Sequence, residues 1–304
     1  MPLPQQILVN RAETIVHQAF QSIQGQLLFY QQLRPFSLWD LYYGINPSIA
    51  PHWFQLLNYQ TILDYDNKAS VARKVAEHAI ENVFPNSYFS VADALASEPE
   101  DDTVWFIKPT YGTAGKGITC LTTAQLAKHH LAKHHFIQQQ VTPIDLIDGR
   151  KYTARAYVFV HNKRLYLFDD GFVMIHGVPY QAQATDHASQ VDHAGYHLAD
   201  GAVKMTRIAE LPEAAQKLAG IRAALQRLQP ALENYLDASS VTAFGLLGID
   251  LLFTPDHQAR FIEINAKANF SHTEQINQQL NVPFFAALLS QLYTERPHPR
   301  LQQL

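Results

Sequence analysis

The spacing of apolar positions along the chain predicts a mixture of helices and strands without a regular βαβ repeat, so we expect an α+β fold. Val71, Val75, Ala79 and Val83 recur at helical spacing, and Pro85 should end their helix. The predicted helices cover residues 13–30, 68–83, 122–134, 212–236 and 283–293. The predicted strands cover residues 104–108, 118–121, 136–141, 151–160, 164–168, 246–253 and 259–266. We expect residues 31–65 to be irregular.

Composition excludes several classes of function. The 304-residue chain has a formal net charge of −4, so no overall basic field would recruit nucleic acid. Cys120 is the single cysteine, which rules out an intramolecular disulfide and is compatible with a reducing, cytoplasmic location. The first residues lack a signal-peptide pattern, and no run of about 18 apolar residues occurs, so we expect no membrane partner.

A glycine-rich loop, GTAGKG at 112–117, follows one predicted strand and precedes another. It fails the P-loop pattern, which needs four residues between its glycines and Ser or Thr after the lysine. Glycines allow backbone N–H groups to approach an anion, and Lys108 and Lys116 add charges suited to a polyphosphate. A flexible hairpin tip with solvated lysines explains the loop at least as well.

The second candidate site is the hairpin FGLLGIDLLFTPDHQARFIEINA near the C-terminus. A four-residue turn over 255–258 would place Asp250 opposite Glu263, with Glu263 and Asn265 on one face and Ile262 on the other. Carboxylates about 5 Å apart need a cation or a shared proton. Their hard oxygens suit Mg²⁺. A different turn length would shift this register and turn one acid to solvent. A further alternative pairs Glu263 with Arg260 or with Lys267.

Two further segments carry candidate residues. Strand alternation puts Lys151, Thr153 and Arg155 on one face, which suits a polyanion or an acyl phosphate, although a solvent-facing basic strand is the alternative. His130 and His134 would share a helix face at metal-ligand spacing. Without a nearby Cys or carboxylate, a solvated face explains that pair better.

These segments, in this order, resemble the ATP-grasp fold and, within it, the tubulin–tyrosine ligase family. The matching stretches are KAS at 68–70, FPNSY at 84–88, WFIKPTYGTAGKGI at 105–118, IQQQV at 137–141, LIDGRKYTAR at 146–155 and the hairpin FGLLGIDLLF…RFIEINA. The likeness runs from about residue 67 to the end and is weaker over residues 1–66. It implies a nucleotide held between two α+β lobes, a central lobe over 67–141 and a C-terminal lobe over 142–304, preceded by an N-terminal lobe over 1–66.

The resemblance also implies the role of each site residue. The ATP phosphates would be contacted by Lys68, Lys108, Lys116 and Lys151. The adenine would be held by Gln138, Gln139, Gln140 and Val141. The Mg²⁺ ligands would be Asp250, Glu263 and Asn265. The catalytic residues would be Arg155, Lys151 and His197.

The implied activity is ATP-dependent ligation of a carboxylate to an amine through an acyl phosphate, with an amino acid added to a peptide or small-molecule carboxylate. The chain departs from the family pattern at Thr153, where Asp is usual, at Asp169, where Arg is usual, and at Asp200, where Asn is usual. An acid in place of a cation at Asp169 should change the donor or acceptor pocket, so we expect a substrate other than tubulin. Two other hypotheses are a nucleotide-binding module without ligase activity and an ATP-grasp kinase.

Overall fold

The computed structural model describes residues 7–9, 14–23, 30–32, 55–112, 115–191, 195–198, 201–270, 272–294 and 296–304. The described strands are, in chain order, Ile7–Val9 (β1), Tyr30–Gln32 (β2), Gln55–Leu56 (β3), Ser87–Tyr88 (β4), Val104–Pro109 (β5), Thr119–Thr122 (β6), His135–Gln139 (β7), Tyr152–His161 (β8), Arg164–Ile175 (β9), Lys204–Arg207 (β10), Ala243–Phe253 (β11), Ala259–Asn265 (β12) and Leu301–Gln303 (β13). The described α-helices are Thr14–Ser22 (α1), Tyr59–Asp66 (α2), Lys68–Glu77 (α3), Val91–Ala96 (α4), Thr123–Leu126 (α5), His187–Gln190 (α6), Ala214–Leu228 (α7), Glu233–Asp237 (α8), Glu274–Ile276 (α9) and Val282–Thr294 (α10).

Two mainly antiparallel sheets organise these elements and confirm the α+β class. The large sheet has the order β10-β9-β8-β11-β12, with β13 paired to β9 and β3 paired in parallel to β11. The small sheet has the order β4-β7-β5-β6. All strands of the small sheet fall within the proposed central lobe, residues 67–141.

Helix α3 connects the cores of the two sheets. Its buried Val71 and Val75 belong to the same apolar cluster as the large sheet, while Ala69 and Ala72 pack with Phe136 of the small sheet. One face of this helix is therefore buried against each sheet. As a result, its first residue, Lys68, lies between the two sheets.

Several predicted helices are shorter than the apolar spacing suggested. Helix α3 ends at Glu77, and Ala79 is exposed with a positive φ of 49°, so the predicted fourth turn is absent. Tyr30 lies in β2 and not in the first helix, and residues 24–29 of that prediction lie outside the described residues. Residues 59–66, which we expected to be irregular, form α2.

The predicted helix over 122–134 is reduced to the four residues of α5. Thr122 does cap it, and it forms a reciprocal capping box with Gln125. His134 has a φ of 65°, so His130 and His134 do not share a helix face and the proposed metal-ligand spacing does not exist.

The predicted helix over 212–236 is interrupted because Pro230 cannot donate a backbone hydrogen bond. A 3₁₀ segment, Gln229–Leu232, separates α7 from α8. Strand β9 is longer than predicted and reaches Ile175. Among the described residues, no helix is long and apolar enough to cross a bilayer.

Candidate functional site

A small cleft of about 80 Å³, open to solvent, lies between the two sheets. Its lining residues are Pro85, Phe106, Lys108, Gly115, Ile118, Gln138, Gln139, Gln140, Val141, Lys151, Thr153, Gln190, Val191, Asp250, Leu252, Ile262 and Glu263. Residues from both predicted lobes therefore meet in one cavity, as a nucleotide site between two lobes requires.

The β11–β12 hairpin places its acidic residues through a bulge. Asp250 is aligned with Glu263, as predicted. The turn is one residue out of step with the prediction, because Phe253 is aligned with Ala259 and not with Arg260. A register shift after Asp250 leaves Ile262 as the extra residue and restores the acidic pair.

This bulge also changes which side chains enter the cleft. Strand alternation predicted Ile262 on the face opposite Glu263, and that prediction is wrong, because both residues line the cleft. The extra residue breaks the two-residue alternation of the strand, so the consecutive residues Ile262 and Glu263 both line the cleft.

Each acid of the pair has a cationic partner. Arg155, the cross-strand neighbour of Asp250, donates from Nε to Oδ1 at 2.6 Å and from Nη2 to Oδ2 at 2.8 Å. Lys68 Nζ lies 3.0 Å from Glu263 Oε1 and donates to the Gly112 carbonyl at 2.7 Å. The first turn of α3 thus connects the glycine loop to the carboxylate hairpin.

Asn265 completes this group. Its Nδ2 donates to Asp250 Oδ2 and to the Gly248 carbonyl, both at 3.2 Å. The three residues predicted to hold a metal, Asp250, Glu263 and Asn265, are therefore neighbours around one point of the hairpin.

Burial strongly affects the charges of this group. Burial raises the pKa of Glu263; Lys68 opposes this shift, whereas the negative charge of Asp250 adds to it. Burial alone would lower the pKa of Arg155, but the Asp250 carboxylate more than offsets it and the net shift is upward. A divalent cation would relieve the repulsion between the two carboxylates.

Two buried lysines face the same cleft. Lys108 Nζ donates to Gln138 Oε1 at 2.5 Å, and Lys151 Nζ donates to the Gln190 carbonyl at 2.7 Å. Burial lowers the pKa of each lysine to about 8, with Glu263 partly opposing the shift at Lys108. Among the residues that the structure describes, no carboxylate forms an ion pair with either ammonium group, so both are well placed for a polyphosphate.

The segment joining the lobes is held by its own side chains. Gln139 Oε1 accepts from Asn86 Nδ2 at 3.1 Å. Gln140 Nε2 donates to the Ala182 carbonyl at 2.7 Å and to the Tyr180 hydroxyl at 2.9 Å. Gln138 was also predicted to hold adenine. Its side chain instead accepts a hydrogen bond from Lys108 and so orients a residue that was predicted to contact the phosphates.

Five predicted site residues are not among the lining residues of the cleft. Lys68, Arg155 and Asn265 contact the acids of the hairpin, whereas the other two lie apart from them. Lys116 is exposed beyond Gly115, and His197 is exposed next to Tyr196; neither is among the lining residues. Gly115 itself has a φ of 68°, and a Cβ there would overlap Val191, so the loop tip needs glycine where it packs against Val191.

The two departures at Thr153 and Asp169 occupy different places. Thr153 is buried and lines the cleft between Lys151 and Arg155 along β8. Asp169 is outside the lining and binds the Arg300 side chain, with Nη2 to Oδ1 at 2.8 Å. Asp200 lies outside the described residues.

Sequence reasoning missed the apolar walls of the cleft: Phe106, Ile118, Leu252 and Ile262. In the sequence, these residues are marked only by their closeness to Lys108, Gly117, Asp250 and Glu263. The donor chemistry of the cleft fits ATP with Mg²⁺: apolar walls suit a base, buried ammonium groups suit phosphates, and clustered hard oxygens suit Mg²⁺. Among the described residues no three His, Cys, Asp or Glu side chains cluster for a metal, so phosphate oxygens would have to complete its coordination.

Comparison with known proteins identifies relatives of the chain and of its fold. The chain is 22% identical over 240 residues to the tubulin polyglutamylase TTLL13 of the mouse, Mus musculus. The match covers 66% of this chain but only 29% of that relative, so the chain spans less than a third of its length.

A solved structure shares the fold. The C-terminal domain of Pby1 from K. lactis, described as an ATP-grasp enzyme that interacts with the mRNA decapping enzyme Dcp2, superposes with a TM-score of 0.61. The two chains are 16% identical, and the superposition covers 99% of this chain and 98% of that one. The fold is therefore the ATP-grasp fold, as predicted.

The family model for the tubulin-tyrosine ligase family matches residues 62–242. This range includes Lys68, both buried lysines and Arg155, and it stops just before β11. Because it spans more than half of the chain, the protein belongs to the tubulin-tyrosine ligase family.

Proposed function

We propose that this protein forms an amide or peptide bond between a carboxylate and an amine through an acyl phosphate, adding an amino acid to a peptide or small-molecule carboxylate. The main support is that Arg155 contacts Asp250 inside a cleft that Lys108 and Lys151 also line. Two ammonium groups and two carboxylates thus line one cavity, and the Arg155 guanidinium binds one of these carboxylates.

In the first step, an oxygen of the substrate carboxylate attacks the γ-phosphorus of ATP. The bond from that phosphorus to the bridging oxygen breaks, and its electron pair leaves with ADP. Lys108 and Lys151 hold the phosphates, and Arg155 neutralises charge on the transferring group. The chain contributes position and charge and needs no nucleophile of its own.

In the second step, the amine nitrogen attacks the carbonyl carbon of the acyl phosphate. The carbon–oxygen bond breaks, inorganic phosphate leaves, and the proton of the amine passes to phosphate or solvent. Arg155 is placed to stabilise the oxyanion of the tetrahedral intermediate.

Mg²⁺ would be held by Asp250, Glu263 and Asn265 and would neutralise charge on the β- and γ-phosphates. The Asp250 oxygens are shared with Arg155 and Asn265, so binding the ion means exchanging part of these contacts. Arg155 would then be free to turn to the substrate.

Two other functions keep some support. Thr153, where the family usually has Asp, lies in the cleft and favours a nucleotide-binding module without ligase activity. A kinase would use the same first step and omit the amine. The name of the mouse relative makes glutamate the first amino acid to test, although Asp169 led us to expect an acceptor other than tubulin.

The test is a turnover assay with ATP and MgCl₂ over each proteinogenic amino acid, paired with peptide and small-molecule carboxylates, tubulin tail peptides included. We expect phosphate release and an amide-linked product by mass spectrometry. Hydroxylamine should trap the acyl phosphate as a hydroxamate. ATP binding without turnover over the whole panel supports the module, and a phosphorylated product supports the kinase.

A further inference from the structure

A π-helical segment, Asn277–Asn281, lies between α9 and α10 and supports a histidine close to the cleft. π-helical turns are rare and occur frequently at functional sites, because the extra residue redirects side chains. Here Asn277 and Asn281 both point towards His272.

The backbone of His272 fixes the first asparagine. The His272 N–H donates to Asn277 Oδ1 at 2.9 Å, and Asn277 Nδ2 donates to the His272 carbonyl at 3.1 Å. A backbone N–H can only donate, so the oxygen of Asn277 must be the atom that faces it.

Asn277 in turn fixes the second asparagine. Its Oδ1 also lies 2.8 Å from Asn281, so that position must be the donor Nδ2 of Asn281. The amide oxygen of Asn281 then accepts from the Tyr157 hydroxyl at 2.7 Å. Asn281 is fully buried, which leaves it no water as an alternative partner.

The remaining proton of Asn281 Nδ2 points to His272 Nδ1 at 3.1 Å. Nδ1 must therefore accept, and in a neutral imidazole the ring proton then lies on Nε2. The backbone N–H of His272 thus fixes the amide of Asn277, which fixes the amide of Asn281, which in turn fixes the tautomer of the His272 ring.

This ring is close to the charged residues of the cleft. Its centroid lies 4.5 Å from that of Phe172, the residue aligned with Arg155 across β8 and β9. Burial, assisted by the charge of Arg155 and opposed by that of Asp250, lowers the pKa of His272 to about 3, so the ring stays neutral at physiological pH. Among the described residues, Nε2 has no hydrogen-bond partner.

We propose that His272 is a further substrate-contacting residue, whose Nε2–H donates a hydrogen bond to an oxygen of the acyl phosphate held by Arg155. This inference rests on the proposed function. A neutral donor adds a directed contact to the anion without adding another positive charge to a cleft that already holds several cations. It would favour the acyl phosphate over the nucleotide, which binds to the lysines.

The tautomer can be tested without activity. In protein labelled with ¹⁵N, the Nδ1 and Nε2 resonances of His272 report which nitrogen carries the proton. We expect a protonated Nε2 and an unprotonated Nδ1. A proton on Nδ1 would overturn the proposal.

The contact can be tested with acetylphosphonate, a stable analogue of an acyl phosphate, added to protein saturated with ADP and Mg²⁺. In the His272→Gln variant, the amide nitrogen replaces Nε2, whereas in His272→Asn it replaces only Nδ1. We expect affinity for the probe to fall about 10-fold or more in the Asn variant and to stay within about 3-fold in the Gln variant.

Equal affinities in the two variants would remove His272 from the substrate site. ADP affinity, measured separately, should be the same in all three proteins, and thermal unfolding checks that both variants fold. If the wild-type protein binds no ADP, the proposed function fails, whatever the tautomer.

Discussion

Arg155 and Asp250 form a two-contact ion pair between directly facing residues of β8 and β11, with both carboxylate oxygens engaged. Each side chain is only 13% exposed. A predicted metal ligand and a predicted catalytic cation thus neutralise one another. Nucleotide with its metal would have to redistribute these contacts.

Asp250→Asn should destabilise the free protein by about 3–5 kcal/mol, because a nearly buried guanidinium loses its counter-charge. The double variant Asp250→Asn with Arg155→Gln should recover most of this loss, since no unpaired charge remains. Urea unfolding of the wild type, of Asp250→Asn, of the single variant Arg155→Gln and of the double variant gives the coupling free energy. Additive losses would mean that the pair contributes no coupling.

Glu263→Gln should abolish turnover and leave the fold intact. A lost metal ligand removes several kcal/mol of charge stabilisation, which corresponds to about 100-fold or more in kcat. Burial raises the pKa of Glu263, so a neutral side chain should cost little stability there. The measurements are steady-state turnover and thermal unfolding, with the exposed Glu77→Gln as the matched control. Full activity in Glu263→Gln would remove this residue from the metal site.

ATP binding should take up protons near pH 8 to 9. Lys108 and Lys151 have pKa values lowered to about 8 by burial, so they lose their charge in the free protein as the pH rises through that value. A polyphosphate favours the charged form and raises both pKa values, so protons are bound with it and the affinity falls as the pH rises.

Calorimetry in two buffers of different ionisation enthalpy measures this uptake. The Lys108→Met and Lys151→Met variants should each reduce it. Lys116→Met is the matched control, because Lys116 is exposed and outside the cleft lining. An uptake that Lys116→Met reduces as much as the buried variants would contradict the assignment of these lysines.

Asp169→Ala should lower stability by about 1 kcal/mol and leave substrate selectivity unchanged. Its carboxylate pairs with Arg300, which follows α10, and this partly exposed pair holds β13 beside β9. Arg300→Ala should have the same effect, and the double variant should add little to it. A changed amino-acid preference in Asp169→Ala would instead support the pocket role predicted from the sequence.

The sequence predicted the pairing of the strands better than it predicted the helices. Strand alternation correctly placed Lys151, Thr153 and Arg155 together near the cleft, because β8 is regular over these residues. The hairpin count found the Asp250–Glu263 pair even though its turn was one residue off. Local patterns were sufficient wherever the pairing of strands was simple.

The misses have identifiable physical causes. Helical spacing over 68–83 continued past Glu77, where residues with positive φ end α3. His272 carried no recognisable motif, because its orientation depends on two asparagines in a π-helical segment and on Tyr157, more than a hundred residues away. Contacts of that range cannot be read from spacing along the chain.

The extra residue at Ile262 gives the β11–β12 hairpin two alignments, one on each side of it. A gain or loss of one residue in the turn would change which residues face each other in the outer half of the hairpin. Asp250 would still face Glu263 only if the bulge changed by one residue to compensate. A hairpin that lacks this extra residue would therefore align with this one at the turn or at the acids, but at both only with a one-residue gap between them.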